Sequence, residues 1–354
     1  MKENFLVSTG GSGGHVIPAI TICEHLSKNF NVIISSDKRG LKFFDHKSYE
    51  TKIIDTPRLG NFLFLPINFF FILFLTIKSL SFLKKRKIKK IFSTGGYMSL
   101  PIFLAARLLK LDIYLIEPNH TLGRANNFFL KSCKKIFCYS LNIKNFPKDF
   151  KEKIVVISPL VRKNIYNLKM NLSKSRLFTL LIVGGSQGAF FFNDSLKDSI
   201  LNISKKNSIK VIHQTSENNI SLLNDFYTKN KIENKIFSFD ENFSNLLSQA
   251  DLCITRAGAS TLAELSILNI PFIAVPLPTS KDNHQLENAN FYKDNGCCWI
   301  LSQNQFKGQI DELLNSIIEK KSDYLEKKEN LEKLNYQNSW NNVNQKILDT
   351  INEN

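Results

Sequence analysis

Short apolar runs alternate with longer amphipathic stretches along the whole of this 354-residue chain. The runs predict strands, and the stretches between them predict helices. The predicted strands cover residues 5–7, 32–35, 91–93, 113–116, 135–138 and 154–157, and then residues 178–183, 209–213, 236–239, 252–255 and 271–275. This alternation of strand and helix predicts an α/β fold with a doubly wound parallel sheet in each half.

The length of the chain predicts two domains, because it exceeds what one hydrophobic core usually serves. A Ser-Pro-Leu-Val-Arg segment at residues 158–162 predicts the hinge between them. We expect an N-terminal Rossmann-like domain over residues 1–162 and a C-terminal one over residues 163–335. A Lys/Glu/Asn-rich tail follows, and its helix at about 336–354, with Trp340 as its large apolar anchor, is predicted to pack back on the N-terminal domain.

Two glycine-rich loops occupy matching places in the two halves. Residues 10–15 read Gly-Gly-Ser-Gly-Gly-His, residues 184–188 read Gly-Gly-Ser-Gln-Gly, and each loop follows a predicted strand. A strand, a glycine turn and a helix start direct unpaired backbone N–H groups and the positive end of a helix dipole at a phosphate or a developing oxyanion. The repeated motif predicts two domains of the nucleotide-binding fold type that face one cleft.

A dinucleotide cofactor is a weak interpretation of the first loop. Gly11-x-Gly13 fits the start of the dinucleotide motif, and Asp37 follows the second predicted strand as a ribose-binding acid would. Val16, however, stands where the third glycine belongs. The sequence therefore disfavours nicotinamide binding.

His15 is the best candidate for a general base, because an imidazole accepts a hydroxyl proton near neutral pH. The alternative is a histidine at a helix start that only hydrogen-bonds the loop. A further turn at Gly95-Gly96 follows another predicted strand and adds N–H groups to the same edge, although paired glycines also make ordinary turns.

A third motif begins at Arg256. Small residues at positions 257–261 would let the backbone approach a phosphate at a helix N-terminus, and Glu264 would accept the two ribose hydroxyls. The alternative is an ordinary capped helix, in which Ser260 or Thr261 is the cap and Glu264 lies on the surface.

The chain is strongly basic, with 47 Lys and Arg against 31 Asp and Glu, for a net charge of +16. Such a charge suits nucleic acid, an anionic membrane or a phosphorylated substrate. No nucleic-acid partner is expected, because the phenylalanines are concentrated in one apolar run instead of being interleaved with basic residues. The six cysteines show no paired C-x-x-C spacing, which predicts reduced thiols in a cytoplasmic protein.

Residues 62–77 form the most apolar segment, and a basic cluster follows at residues 84–90. Pro66, Asn68 and Lys78 interrupt the segment, whereas a spanning helix needs ~20 predominantly apolar residues. We expect an apolar patch that dips into a bilayer while the basic residues contact anionic head groups, at ~1 kcal/mol each. The alternatives are a buried core helix with a solvated basic end and a true membrane span.

Together these motifs resemble the MurG family, the bacterial UDP-N-acetylglucosamine transferases that complete lipid II. The matching motifs are Gly10-Gly11-Ser12-Gly13-Gly14-His15-Val16-x-Pro18-Ala19, Gly95-Gly96-Tyr97-x-Ser99-x-Pro101, Glu117-x-Asn119, Gly184-Gly185-Ser186-Gln187-Gly188-Ala189 and Arg256-x-Gly258-Ala259-x-Thr261-x-x-Glu264. The resemblance implies a GT-B fold, in which the C-terminal domain binds the nucleotide sugar and the N-terminal domain binds the lipid acceptor. The chain departs from the family at residues 116–119, which read Ile-Glu-Pro-Asn in place of His-Glu-Gln-Asn.

The resemblance also implies the site residues, with His15 as the catalytic base. In the N-terminal domain it implies substrate contacts from Thr9, Gly10, Gly11, Gly13, Gly14, Asn119 and Arg162. In the C-terminal domain it implies Ser186, Gln187 and Gly188 at the pyrophosphate, Ala259, Ser260, Thr261, Leu262 and Ala263 at the helix end, Glu264 at the ribose, Gln285 at the sugar and the backbone from Asp240 to Phe243 at the uracil.

The function implied by the resemblance is that of an inverting hexosyltransferase of peptidoglycan synthesis. It would move GlcNAc from UDP-GlcNAc to the 4-hydroxyl of MurNAc in lipid I. No metal or other cofactor is expected, because the chain contains no Asp-x-Asp motif. The expected location is the cytoplasmic face of the inner membrane, in peripheral contact with anionic lipid and with cell-wall and division complex proteins as further partners. A UDP-GlcNAc 2-epimerase or a glycolipid glycosyltransferase of the same fold is the alternative.

Overall fold

The computed structural model describes residues 2–57, 65–168, 177–240 and 242–353, without the side chains of residue 65 and residues 185–189. The chain forms two compact units. Unit 1 comprises Met1–Lys163 and Asn338–Asn354, and unit 2 comprises Asn164–Gln337.

Unit 1 is built on a parallel sheet. Its described strands are β1 Asn4–Ser8, β2 Asn31–Ser36, β3 Glu50–Ile53, β4 Lys90–Ser93, β5 Asp112–Glu117, β6 Lys135–Cys138 and β7 Ile154–Val156, in the spatial order β3-β2-β1-β4-β5-β6-β7. Leu6 of β1 enters the core on one face of the sheet, while Phe5 and Val7 enter the core on the other. Both faces are therefore buried, as is usual for an all-parallel sheet.

Helices cover the sheet of unit 1, and one of them returns from the far end of the chain. The described helices are α1 Gly13–Leu26, α2 Leu65–Lys85, α3 Leu100–Leu108, α4 Arg124–Phe129 and, after the helices of unit 2, α14 Trp340–Asn352. In α14, Val343, Ile347 and Ile351 are buried in the core that contains Phe5. Trp340 stacks on His25 of α1, with ring centroids 3.7 Å apart.

Unit 2 repeats the same plan. Its described strands are β8 Phe178–Val183, β9 Ile209–Gln214, β10 Glu233–Phe237, β11 Leu252–Thr255, β12 Phe272–Ala274 and β13 Cys298–Ile300, all parallel, in the order β10-β9-β8-β11-β12-β13. Its described helices are α5 Lys163–Tyr166 at the boundary, α6 Gly185–Ser195, α7 Lys197–Ser204, α8 Ile220–Lys229, α9 Phe243–Leu247, α10 Ala259–Ile267, α11 His284–Asp294, α12 Phe306–Glu319 and α13 Lys321–Leu334.

The predicted doubly wound α/β class is confirmed, but the strand predictions were wrong at the sheet edges. β3 and β13 were not predicted: β3 carries the exposed residues Glu50, Lys52 and Ile53, and β13 has only three residues. The strand predicted at residues 236–239 ends at Phe237, and Phe239 is exposed. Edge strands bury less side-chain surface than central strands, so their apolar patterns are weak.

Each sheet reverses its strand order at one point, between β1 and β4 in unit 1 and between β8 and β11 in unit 2. Open α/β sheets bind ligands beyond the carboxyl ends of the strands at such a switch point. A ligand site is therefore expected at the loops that follow β1, β4, β8 and β11.

Candidate functional site

The loop after β1 requires glycine for steric reasons. Gly10 and Gly11 have φ values of +148° and +79°, a region that other residues rarely adopt. A Cβ on Gly10 would lie 2.6 Å from Asp37 Oδ1. The loop therefore passes directly over the Asp37 carboxylate before α1 begins at Gly13.

Asp37 fastens this loop from within unit 1. Its Oδ1 accepts hydrogen bonds from Gly11 N at 2.7 Å and Gly40 N at 3.0 Å, and its Oδ2 accepts one from Arg39 Nε at 2.8 Å. Arg39 Nη2 also donates to the Tyr97 hydroxyl. Burial acts to raise the pKa of Asp37, but the hydrogen bonds from Gly11, Arg39 and Gly40 and the charge of Arg39 together lower it. We call Asp37, Arg39 and Tyr97 the Asp37 brace.

Asp37 is not available as the ribose-binding acid that the dinucleotide interpretation required. Both carboxylate oxygens of Asp37 accept hydrogen bonds from the chain itself, and the residue is buried. A ribose-binding acid must offer its oxygens to a ligand. Asp37 therefore supports the loop instead of binding a nucleotide.

His15 is held in a defined tautomer. Its Nδ1 lies 2.8 Å from the carbonyl oxygen of Thr94, and because a carbonyl only accepts, the proton is on Nδ1. In the neutral ring Nε2 is then the proton acceptor. Thr94 also pairs with Thr9 through their hydroxyls, 3.0 Å apart, so the loops after β1 and β4 are joined at this point. This geometry permits a general base, although the hydrogen bond is also what a purely structural histidine would make.

Glu117, which the sequence analysis did not place in the site, organises the loop after β5. Its Oε1 accepts from Asn119 N at 3.2 Å and Asn119 Nδ2 at 3.0 Å. Its Oε2 accepts from Gly123 N at 2.8 Å and Asn126 Nδ2 at 2.9 Å. The signal was available in the sequence, since an acid that ends a buried strand requires donors close by. Asn119 is thus positioned by Glu117.

Arg162 lies at the end of unit 1, after β7 and half-buried. The charge of Arg162 acts on Glu24, which lies in α1. Burial raises the pKa of the Glu24 carboxyl, and the Lys163 backbone together with the charges of Lys163 and Arg162 only partly offsets this rise. The segment from Arg162 to Lys163 is therefore tied to α1.

In unit 2, two helices begin at the switch point. α6 starts at Gly185 directly after β8 with Gly184 as its N-cap, so Ser186, Gln187 and Gly188 are in its first turn, although their side chains lie outside the described part of the structure. α10 starts at Ala259, and its first turn closes through Leu262 N to Gly258 O at 3.0 Å.

The capped-helix alternative for α10 was wrong. The N-cap residue is Gly258, and no side chain caps the helix there. The residues Ser260, Thr261, Leu262 and Ala263 all lie inside the helix. Glu264 is buried instead of lying on the surface. Among the residues that the structure describes, none would lie within 4 Å of a methyl group on Gly258.

Helix α11 is fastened to the same edge of unit 2. Gln285 Oε1 accepts from Leu277 N at 2.9 Å, and Asn288 Nδ2 donates to Ala257 O at 3.1 Å. Asn288 is buried and was not among the predicted site residues. It fixes the turn between β11 and α10.

Asp240 follows β10 and shapes the turn into α9. Its Oδ1 accepts from Asn242 N and its Oδ2 from Lys235 Nζ, both at 2.8 Å. The hydrogen bond from Lys235 is the main reason that the pKa of Asp240 is lowered. Asp240 O also accepts from Phe243 N at 3.1 Å, so Asp240 is fastened to the start of α9.

Arg256 begins the third sequence motif but, like Glu117 and Asn288, was not among the predicted site residues. Its side chain is 6% exposed, with Nη1 donating to Val275 O at 3.1 Å and Nη2 to Gln303 Oε1 at 2.7 Å. The guanidinium carbon lies 4.9 Å and 5.1 Å from the ring centroids of Phe191 and Phe192 in α6. Burial lowers the pKa of Arg256 to about 10.

Helix α2 presents an apolar surface. Ile72, Thr76, Ser79 and Leu83 are buried at helical spacing. The exposed large apolar side chains described on this helix, which we call the α2 patch, are Ile67, Phe69, Phe70, Phe71, Leu73, Phe74 and Ile77. Lys84, Lys85, Arg86 and Lys87 are exposed at its C-terminal end. The buried-core alternative is therefore wrong for most of this helix.

By length and composition alone, the described part of α2 from Pro66 to Lys85 could also cross a membrane. All six cysteines are free and buried. Across the described ranges, no group of three or more His, Cys, Asp or Glu side chains converges as a metal site would require.

Comparison with known proteins gives one consistent family. Models of the glycosyltransferase family 28 N-terminal and C-terminal domains match residues 5–138 and 179–342. The chain is 49% identical, over the whole of both chains, to a UDP-N-acetylglucosamine–N-acetylmuramyl-(pentapeptide) pyrophosphoryl-undecaprenol N-acetylglucosamine transferase from Pelagibacter ubique (strain HTCC1062). It is 38% identical to a protein of the same name from Rickettsia canadensis (strain McKiel), over 86% of this chain and 87% of the relative.

The fold is similar to the crystal structure of Acinetobacter baumannii MurG, with a TM-score of 0.78, 23% identity and all of both chains covered. This likeness confirms the GT-B class of α/β fold that the sequence motifs predicted.

Proposed function

Because the chain belongs to glycosyltransferase family 28, we propose that it transfers N-acetylglucosamine from UDP-N-acetylglucosamine to lipid I, the undecaprenyl-pyrophosphoryl-MurNAc-pentapeptide, in peptidoglycan synthesis. The observation that carries this function is the 49% identity to the Pelagibacter transferase over the full length of both chains. The name of that relative contains both the donor sugar and the lipid-linked acceptor.

Unit 2 has the features that a UDP-sugar donor needs. The amides at the starts of α6 and α10 suit the diphosphate, which would be bound by residues 185–188 and by Ala259, Ser260 and Thr261. Glu264 would accept the ribose hydroxyls, Gln285 would contact the sugar, and the Asp240 turn would bind the uracil edge through its backbone. Leu262 and Ala263 continue α10 behind these groups.

Unit 1 would supply the acceptor side and the base. Thr9, Gly10 and Gly11 would contact the substrates with Gly13 and Gly14, while Asn119 and Arg162 would bind sugar and phosphate. The acceptor O4 attacks the anomeric carbon as the bond from that carbon to the UDP oxygen breaks, which inverts the configuration. The O4 proton passes to His15 Nε2, and the negative charge that develops on UDP is stabilised by the helix-start amides.

The direct test is a transfer assay with purified protein, a lipid I analogue and radiolabelled UDP-N-acetylglucosamine. We expect labelled disaccharide product and UDP release that both require the acceptor. UDP-glucose and UDP-N-acetylgalactosamine serve as competitors and should inhibit weakly. Release of UDP without acceptor, together with a 2-epimerised sugar, would instead support the epimerase alternative.

The proposed base is tested with His15→Ala. We expect the turnover number to fall by about 10²-fold or more, because a positioned general base contributes that much. The affinity for UDP should not change, since the base acts only in the transition state. His46→Ala is the matched control, because His46 is an exposed histidine of the same unit. Near-normal turnover of His15→Ala would remove His15 from the role.

We also propose that the protein docks peripherally on the cytoplasmic face of the inner membrane through the α2 patch. The exposed aromatic side chains would enter the interface, and Lys84, Lys85, Arg86 and Lys87 would contact anionic head groups at about 1 kcal/mol each. Association with cell-wall and division complex proteins stays a prediction from the family resemblance.

Docking is tested by co-sedimentation with vesicles that contain phosphatidylglycerol. Phe69→Ser combined with Phe70→Ser, at side chains that are 64% and 69% exposed, should abolish sedimentation without changing thermal stability. Leu222→Ser, at a comparably exposed apolar side chain of unit 2, is the control and should leave sedimentation with the vesicles unchanged. Equal binding of all three proteins would contradict docking through α2.

A further inference from the structure

A buried cation without an acid is the most unusual charge in the molecule. Within the residues that the structure describes, the Arg256 guanidinium forms no ion pair, and its Nε is buried without a hydrogen-bond partner. A carbonyl, an amide oxygen and two aromatic faces only partly replace the hydration that burial removes. The Arg256 guanidinium therefore retains a positive charge that a nearby anion can neutralise.

The position of this charge in unit 2 indicates which anion. Arg256 directly follows β11 and precedes the N-cap Gly258 of α10, while the two rings that flank it belong to α6. α6 and α10 are the helices that begin at the switch point of this sheet. The guanidinium therefore lies behind two helix starts whose dipoles have the same sign as its own charge.

We propose that Arg256 is a positioning residue that makes unit 2 selective for a nucleoside diphosphate over the free nucleoside. It acts through its electrostatic field at the two helix starts, without contact to the ligand. This inference rests on the proposed function, because it assumes that the donor binds at the starts of α6 and α10. Beyond that function, the inference identifies Arg256 as the residue that makes the diphosphate contribute to donor affinity.

Burial makes the effect of Arg256 different from that of the many exposed lysines. Mobile ions screen exposed charges over about 8 Å at physiological ionic strength, but they screen a buried charge much less. Diphosphate selectivity that depends on Arg256 should therefore persist at high salt. Selectivity that depends on surface lysines should be lost there.

A purely structural role makes a different prediction. If Arg256 only held Val275 and Gln303 in place, its loss would disturb the whole nucleotide site and weaken the binding of uridine and UDP equally. The ratio of the two dissociation constants separates the two roles. Uridine reports the integrity of the site, and UDP adds only the diphosphate.

The experiment measures the dissociation constants of uridine and UDP by calorimetry, at low and high salt, for the full-length wild type and Arg256→Met. We expect Arg256→Met to weaken UDP by about tenfold with uridine unchanged, which corresponds to the loss of about 1.4 kcal/mol. Arg256→Lys, which keeps the charge without the planar fork, should retain most of the preference for UDP. Lys197→Met, at an ion-paired lysine of the same unit, is the control and should bind like the wild type.

An unchanged ratio in a folded Arg256→Met protein, or an equal loss for both ligands, would overturn the inference. If Arg256→Met does not fold, Arg256→Gln provides a neutral side chain that can still hydrogen-bond, and the same ratio is decisive. A wild type that binds UDP no better than uridine, or that fails the transfer assay, would instead contradict the proposed function.

Discussion

Each unit places one arginine behind a glycine-rich edge of its sheet, but the two arginines are in opposite electrostatic situations. In unit 1, the Arg39 side chain is 39% exposed and pairs with the buried Asp37. In unit 2, Arg256 is buried, and among the described residues it has no acidic partner. The first arginine completes an internal structure, whereas the second leaves a charge for something else to neutralise.

Similar glycine-rich loops can therefore have buried charged residues beside them that serve different purposes. Asp37 already satisfies Gly11 N and Gly40 N, so the acid and its arginine are used to fix the course of the backbone. Unpaired buried charge destabilises a fold, and proteins retain it mainly where a ligand or reaction needs it. Removing Asp37 from unit 1 and Arg256 from unit 2 should therefore have unequal effects on the free energy of unfolding.

The largest effect is expected for Asp37→Ala. This change leaves the N–H groups of Gly11 and Gly40 without an acceptor and Arg39 without its acidic partner, at a cost of about 3 kcal/mol in the free energy of unfolding of unit 1. Hydrogen exchange of the β1 and β2 amides measures this regional stability. Asp194→Ala, at an exposed ion pair with Lys197, is the control and should change stability by less than about 0.5 kcal/mol. A loss of similar size in the control would show that the brace has no special role.

A second effect is confined to acid and compares Asp37→Asn with the wild type. The pKa of Asp37 is lower in the folded protein than in the unfolded chain, so its stabilisation is present above the unfolded value of about 4 and disappears as the pH falls through the folded value. We expect the wild type to be the more stable protein at neutral pH. The two stabilities should converge as the pH falls below the lowered pKa of Asp37. Thermal unfolding across this range provides the measurement, and a constant difference would contradict the assignment.

A smaller effect is expected for Arg256→Met without ligand. Replacing an unpaired buried cation by an apolar side chain relieves desolvation while it leaves the Val275 carbonyl and the Gln303 amide without donors, so the two contributions largely cancel. The free energy of unfolding of unit 2 should fall by less than about 1 kcal/mol, as measured by hydrogen exchange of β8 and β11. A loss as large as that of Asp37→Ala would remove the contrast between the two arginines.

The smallest effect is expected for Tyr97→Phe, which deletes only the hydroxyl that accepts from Arg39. Because Arg39 keeps its bonds to Asp37, the loss should be about 0.5 kcal/mol. Exchange of the amides near Gly96 reports it. An effect larger than that of Asp37→Asn would mean that Tyr97, and not the carboxylate, is the centre of the brace.

The fold class could be predicted from the sequence because the central strands are buried on both faces. Continuous apolar runs such as residues 180–183 are distinctive, whereas an edge strand such as β3, with Glu50 and Lys52 exposed, has no such signal. The same contrast explains the shifted bounds of β10.

The site was predictable only where local chemistry dictates the residue type. Glycines that adopt positive φ and small residues before α10 can be recognised in a single stretch of sequence. Asp37 has a partner at Gly11 and Arg256 has one at Gln303, each in a distant segment of the chain, so their roles depend on contacts that the sequence does not show directly. For Asp37, sequence pattern suggested a cofactor acid, and only the geometry showed that its oxygens are already used.

The return of α14 to unit 1 has a consequence for how the protein is made. Val343, Ile347 and Ile351 belong to the core around β1, yet the ribosome synthesises them after all of unit 2. Domains generally fold as they emerge during translation, but the half that is translated first must wait for residues 338–354 to finish its interior. Expression of that half on its own should accordingly require these residues to be fused behind Lys163.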